Sequence, residues 1–101
     1  MYMIRNTWRA QRGKAPELIE ALKLVNQAMT GQAGFANGKI YADMSGPFDT
    51  VIWQFEAESL DQFFQVERGV FVNPDEATQR LIATLNGSTV EGSRAIYEVI
   101  V

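Results

Sequence analysis

The chain has 101 residues, 47% apolar and 21% charged, with 9 basic against 12 acidic side chains and a formal charge of −3. It contains no cysteine and no histidine, which excludes disulfides, thiolate nucleophiles, iron–sulfur and thiolate zinc sites, Ser-His-Asp triads and imidazole ligands. The acidic balance argues against a nucleic-acid backbone as main partner, the length suits one domain over residues 1–101, and no apolar run approaches the ~20 residues of a membrane span.

Tyr2 to Ala10 is rich in β-branched and aromatic types and stops at Gln11-Arg12-Gly13, which predicts a first strand. The period then changes: Pro16 suits a first helical turn, and Leu18, Leu22, Val25 and Met29 recur at helical spacing as far as Gly31. An amphipathic helix over Pro16 to Thr30 is expected, followed by a flexible connection holding Gly31, Gly34 and Gly38, whose spacing is not that of a phosphate loop. Lys39 to Met44 and Thr50 to Glu56 read as a hairpin across the turn chemistry of Gly46-Pro47. Ser59 with Gln62 forms a capping-box pattern opening a helix that carries Leu60, Phe63, Phe64 and Glu67, interrupted at Gly69 and Asn73-Pro74. Asn73 as cap and Pro74 as first residue restart it with an Ala77, Leu81, Ile82, Leu85 stripe that ends at Asn86-Gly87-Ser88. Arg94 to Val101 is the expected last strand.

The order β-α-β-β-α-β predicts an α+β, ferredoxin-like fold: a four-stranded antiparallel sheet with helices on one face. Period-2 reading sends Ile4, Asn6, Trp8, Ile40, Ala42, Met44, Val51, Trp53, Phe55, Tyr97, Val99 and Val101 under the helices. The opposite set is Met3, Arg5, Thr7, Arg9, Tyr41, Asp43, Ile52, Gln54, Glu56, Ile96, Glu98 and Ile100. That mixture of apolar and oppositely charged residues suits a sheet-on-sheet homodimer in which Arg5 and Arg9 meet Asp43, Glu56 and Glu98.

In element order, length and hydrophobic texture the whole chain resembles the dimeric α+β barrel superfamily, which holds the antibiotic-biosynthesis-type monooxygenases, NIPSNAP-like proteins and heme-degrading monooxygenases. The resemblance implies a pocket between sheet and helices in each protomer and dimerisation through the sheets into an α+β barrel. Its heme-degrading branch uses a strand-one asparagine, a tryptophan and a histidine ligand. Asn6 matches the first, Trp53 lies on a strand instead of the expected helix, and the histidine is missing; a tyrosine such as Tyr41 or Tyr97 would have to ligate iron in its place. The cofactor-free quinol monooxygenase branch, in which a substrate carbanion itself reacts with oxygen, suits a chain without histidine better. There Asn6 would bind and polarise a substrate oxygen, and Trp8, Trp53, Phe64 and Tyr97 would line the pocket.

Each of these residues also has a plainer role. Asn6 breaks an apolar row, so its amide contacts a ligand or caps a neighbouring loop. Trp8 and Trp53 line a pocket or fill the core. Phe63, Phe64 and Phe71 near Gly69 form a lid or pack on the sheet. Arg5 and Arg9 bind an anion or pair across the interface. Glu56, Glu58 and Asp61 hold a hard cation or form a solvated cluster, the latter being preferred, so no metal is expected. An RNA-recognition module shares the element order, but Lys39-Ile40-Tyr41 and Val51 to Phe55 lack its exposed aromatic run. The Asn86-Gly87-Ser88 sequon carries no weight without a secretory signal. The expectation is a cytoplasmic homodimer, without cofactor and away from nucleic acid and membrane. It would bind an apolar or aromatic small molecule as a cofactor-independent monooxygenase or, alternatively, as a non-enzymatic ligand-binding or stress-associated module.

Overall fold

The computed structural model describes residues 1–32 and 34–101, and every side chain among them except that of Phe71; that member of the expected aromatic cluster lies outside the described residues. The elements are β1 (Tyr2–Ala10), α1 (Ala15–Met29), β2 (Ala36–Ala42), β3 (Thr50–Ala57), α2 (Leu60–Val72), α3 (Glu76–Ser88) and β4 (Thr89–Glu98). The strands form one antiparallel sheet in the order β2-β3-β1-β4. The helices cover one face of it, which makes the fold α+β and ferredoxin-like, with the second helical region split in two.

The core follows from matching periods. In β3 each alternate residue is buried, Val51, Trp53, Phe55 and Ala57, and in β1 Ile4 and Asn6 lie opposite Phe55 and Trp53. Leu18 and Leu22, one turn apart on α1, close over this row together with Met29, while Phe63 arrives from α2. Full burial of a side chain of this size contributes about 1.5–3 kcal/mol. Aromatic rings then form a connected series: Phe55 lies 4.3 Å from Phe35, 5.0 Å from Trp53 and 5.2 Å from Phe63, centroid to centroid.

Several boundaries differ from the sequence reading. Helix α2 passes through Gly69 and stops only at Val72, because one solvent-facing glycine costs a helix about 1 kcal/mol and does not break it. Asp75, not Asn73, caps α3: its extended backbone directs the carboxylate to the amide of Thr78 at 2.7 Å. Strand β2 begins before Lys39, so Gly38 belongs to a strand and not to a loop. Met44, expected under the helices, is 95% exposed in the bend that follows.

The largest correction concerns the last strand. β4 begins at Thr89, directly after α3, five positions before the expected Arg94, and it ends at Glu98. Its register against β1 pairs Trp8 with Gly92, Asn6 with Arg94, Ile4 with Ile96 and Tyr2 with Glu98. Arg94, Ile96 and Glu98 therefore stand on the helix side and Tyr97 on the open side, the reverse of the period-2 assignment. A shift of one residue inverts both faces of a strand, and the half-polar sequence of β4 gives no apolar row to fix its phase.

Candidate functional site

Between the sheet and all three helices lies a cavity of about 300 Å³. Its floor is Asn6 and Trp8 from β1 with Trp53 and Phe55 from β3; Val25 and Met29 of α1, Phe63 and Val70 of α2, and Leu81 and Leu85 of α3 supply apolar walls. The volume stands at the small end of ligand sites, suited to a molecule of two or three rings.

One wall is polar. Asn6 is only 3% exposed, and its Oδ1 accepts a 2.7 Å hydrogen bond from Arg94 Nε across the β1–β4 pair. Arg94 turns its two terminal nitrogens to the two carboxylate oxygens of Glu67 on α2, Nη1 to Oε1 at 3.0 Å, in a bidentate ion pair. The guanidinium carbon also lies 5.3 Å from the centroid of the Phe63 ring. Three elements distant in sequence thus meet at one guanidinium, a planar donor fork suited to binding an amide and a carboxylate together.

The aromatic floor is held from the side. Trp8 and Trp53 stack with centroids 6.4 Å apart and planes inclined by 20°. Trp53 donates its indole N–H to Asn26 Oδ1 of α1 at 3.0 Å, and Asn26 Nδ2 reaches the carbonyl of Gly38 at 3.4 Å. A Cβ on Gly38 would fall 1.9 Å from that Oδ1, so the absence of a side chain there lets Asn26 reach both partners. At the cavity edge Asp75 holds its carboxyl below the ordinary value of 3.8, chiefly through the amide of Thr78.

Of the residues singled out from sequence, Asn6, Trp8 and Trp53 share this cavity. Phe64 packs behind Phe63, 5.2 Å between centroids, outside the lining. Tyr97, 48% exposed, lies on the opposite face of the sheet, where the Arg5 guanidinium sits 5.7 Å from its ring centroid. The charged residues expected at a dimer seam have other neighbours within the chain: Arg5 donates to Gln54, Arg9 lies 3.6 Å from Glu91, and Glu56 accepts from Asn37. Asp43 closes the hairpin turn by accepting from the amides of Ser45 and Gly46, which lower its pKa. Glu98 is exposed at the end of β4. Among the described residues, no group of three or more acidic side chains gathers as a metal site would need, and no helix is long and apolar enough to cross a membrane.

Sequence reading placed Glu67 on the helical side of Leu60, Phe63 and Phe64 but gave it no role, and it did not select Arg94 or Asn26. Two signals were available. Glu67 stands four residues after Phe63, hence on the same helical face, and Asn26 stands four after Leu22 on the apolar side of α1.

No protein-family model matches the chain, and no curated protein matches it by sequence. Solved structures do match. A candidate antibiotic biosynthesis monooxygenase from Nitrosomonas europaea superposes with a TM-score of 0.79 over 100% of both chains at 12% identity. Another, from Deinococcus radiodurans, gives 0.75 at 17% identity, covering 98% of this chain and 92% of that one. SnoaB, a cofactor-independent oxygenase from Streptomyces nogalater, gives 0.75 at 9% identity over 97% of this chain and 91% of its own. The chain therefore has the ferredoxin-like fold of antibiotic biosynthesis monooxygenase-like proteins, and at these identities the likeness is one of fold.

Proposed function

We propose that the cavity binds a small aromatic molecule and that the protein acts on it as a cofactor-independent monooxygenase. The observation that carries this reading is the polar wall in an otherwise aromatic cavity: Asn6, buried and oriented by Arg94, beside the stacked Trp8 and Trp53. The likeness to SnoaB supports it. The rings of a phenolic or ketonic substrate would lie along the indoles with one oxygen toward the Asn6 amide. As the substrate loses a proton, charge collects on that oxygen, and a hydrogen bond already in position stabilises it without reorganisation. The carbanion so formed reduces dioxygen to a carbon-bound peroxide, which takes back a proton from solvent; loss of water with the second hydrogen of that carbon leaves a carbonyl, so a CH2 supplies all four electrons and both hydrogens, one oxygen atom stays on the substrate and the other leaves as water. Oxygen uptake with a panel of hydroquinones and aromatic ketones tests the reading. Turnover by the wild type that falls at least about tenfold in Asn6→Ala is expected, a loss typical of one hydrogen bond to developing charge. No uptake with any of them, and equal ligand binding by both proteins, would refute it. Ligand binding without uptake identifies the alternative, a non-enzymatic binding module.

The same proposal includes a homodimer through the uncovered face of the sheet, where Met3, Ile52 and Tyr97 are interspersed with Arg5 and Gln54. Light scattering at micromolar concentration should report twice the 11.3 kDa of one chain; the monomer mass would refute this part.

A further inference from the structure

We infer that the Glu67–Arg94 ion pair sets the charge selectivity of the cavity, so that it accepts a neutral aromatic ketone and rejects the corresponding carboxylate. The inference rests on the ligand-binding reading above and adds the class of ligand and a specificity-determining pair.

The argument starts from hydrogen-bond direction. A guanidinium N–H only donates, so the 2.7 Å contact with Arg94 Nε fixes the oxygen of the Asn6 amide toward Arg94 and turns its Nδ2 away. Among the described residues no acceptor meets that Nδ2, although Asn6 is 3% exposed and lines the cavity. Every fully buried side-chain polar atom among the described residues has a partner, so this Nδ2 is a donor open to the cavity, and the acceptor atom of a ligand can take the place of water on it. A carbonyl oxygen meets that need with no charge to desolvate.

A carboxylate would meet it too, and a free arginine beside it would favour the anion strongly. Arg94 is not free. Each of its terminal nitrogens gives an N–H to Glu67, whose carboxylate offsets the guanidinium charge, and the other carboxylate on the lining, Asp75, is held on the amide of Thr78. With one cation against two carboxylates the lining carries a net charge of −1. An anionic ligand would give up its hydration to enter a wall of like sign, whereas the rings of a neutral one gain the apolar contacts of Trp8, Trp53 and Phe63. Glu67 thus lets Arg94 orient Asn6 while cancelling the charge that would otherwise recruit anions.

The experiment compares 9-fluorenone with 9-fluorenone-2-carboxylate at pH 7, read by quenching of Trp8 and Trp53, the 2 tryptophans of the chain and both on the lining. The wild type should bind the ketone at least about tenfold more tightly. Glu67→Gln preserves the size of the side chain and an acceptor for Arg94 but leaves the cation uncompensated. Its preference should move by about tenfold or more toward the carboxylate. Glu67→Gln combined with Arg94→Gln removes both charges and should return the preference to the ketone. A wild type that binds both ligands equally or favours the carboxylate overturns the inference alone, as does an unchanged preference in Glu67→Gln. Absence of quenching by either ligand in the wild type overturns the ligand-binding reading, and this inference with it.

Discussion

Gly92→Ala tests the cavity floor through a residue that carries no chemistry. Gly92 lies opposite Trp8 in the β1–β4 pair, and a Cβ there would come within 2.8 Å of Trp8 Cδ1 and 3.0 Å of its Nε1. Carbon atoms in good contact stand about 3.5–4.0 Å apart, so the indole must retreat by about 1 Å. β4 lies on one side of it and Trp53 on the other, which leaves movement toward Trp53 and the middle of the cavity. Overpacking of this kind costs about 1–3 kcal/mol, with the low end expected because Trp8 is only half-buried. Replacing a strand glycine regains about 0.5–1 kcal/mol. The net expectation is a loss of at most about 0.5 kcal/mol, seen in urea as a midpoint lowered by at most about 0.25 M at unchanged slope. Ligand affinity should fall more than stability, since the displaced ring enters the space a ligand would fill. A variant with wild-type midpoint and wild-type affinity for 9-fluorenone would show that the Trp8 indole does not lie over Gly92.

Three further outcomes are expected. Phe55→Ala removes a fully buried ring in contact with three other aromatic side chains, so urea unfolding should register a loss of about 3–5 kcal/mol, and a loss below about 1 kcal/mol would contradict the packing described. Asn26→Leu strands the Trp53 indole N–H and should cost about 1–3 kcal/mol by the same assay, whereas Asn26→Asp, which keeps that acceptor but turns an oxygen toward the Gly38 carbonyl, should recover only part of it. Asp75 has a folded-state pKa below its ordinary value of 3.8, so its contribution is complete above that value and disappears as pH falls through the lower folded one. Asp75→Ala should therefore destabilise the protein at pH 7 and converge with the wild type in strong acid; a difference that persists at low pH would refute the cap.

How much was legible beforehand differs from element to element. The strand Tyr2–Ala10 and the helix beginning beside Pro16 follow from sequence because their patterns are local: alternation in one, a 3–4 spacing of leucines in the other. Asn6, Trp8 and Trp53 were found for the same reason, each standing on a strand whose apolar row fixes its phase. Strand β4 has no such row. Gly92 and Ser93 read as loop residues, and only the register against β1 makes them strand and places Arg94 opposite Asn6.

The amino-acid sequence by itself determined the order of the elements, the absence of thiol and imidazole chemistry, and the apolar faces of three strands, because those properties depend on neighbours in the chain. The tertiary structure alone decided the polar wall of the cavity. Asn6 and Arg94 are 88 positions apart and Glu67 is 27 from Arg94, separations at which no periodicity connects them. They meet because the last strand pairs with the first and the second helical region crosses above both. A buried amide and a guanidinium become a directed pair only when that register is set to the residue.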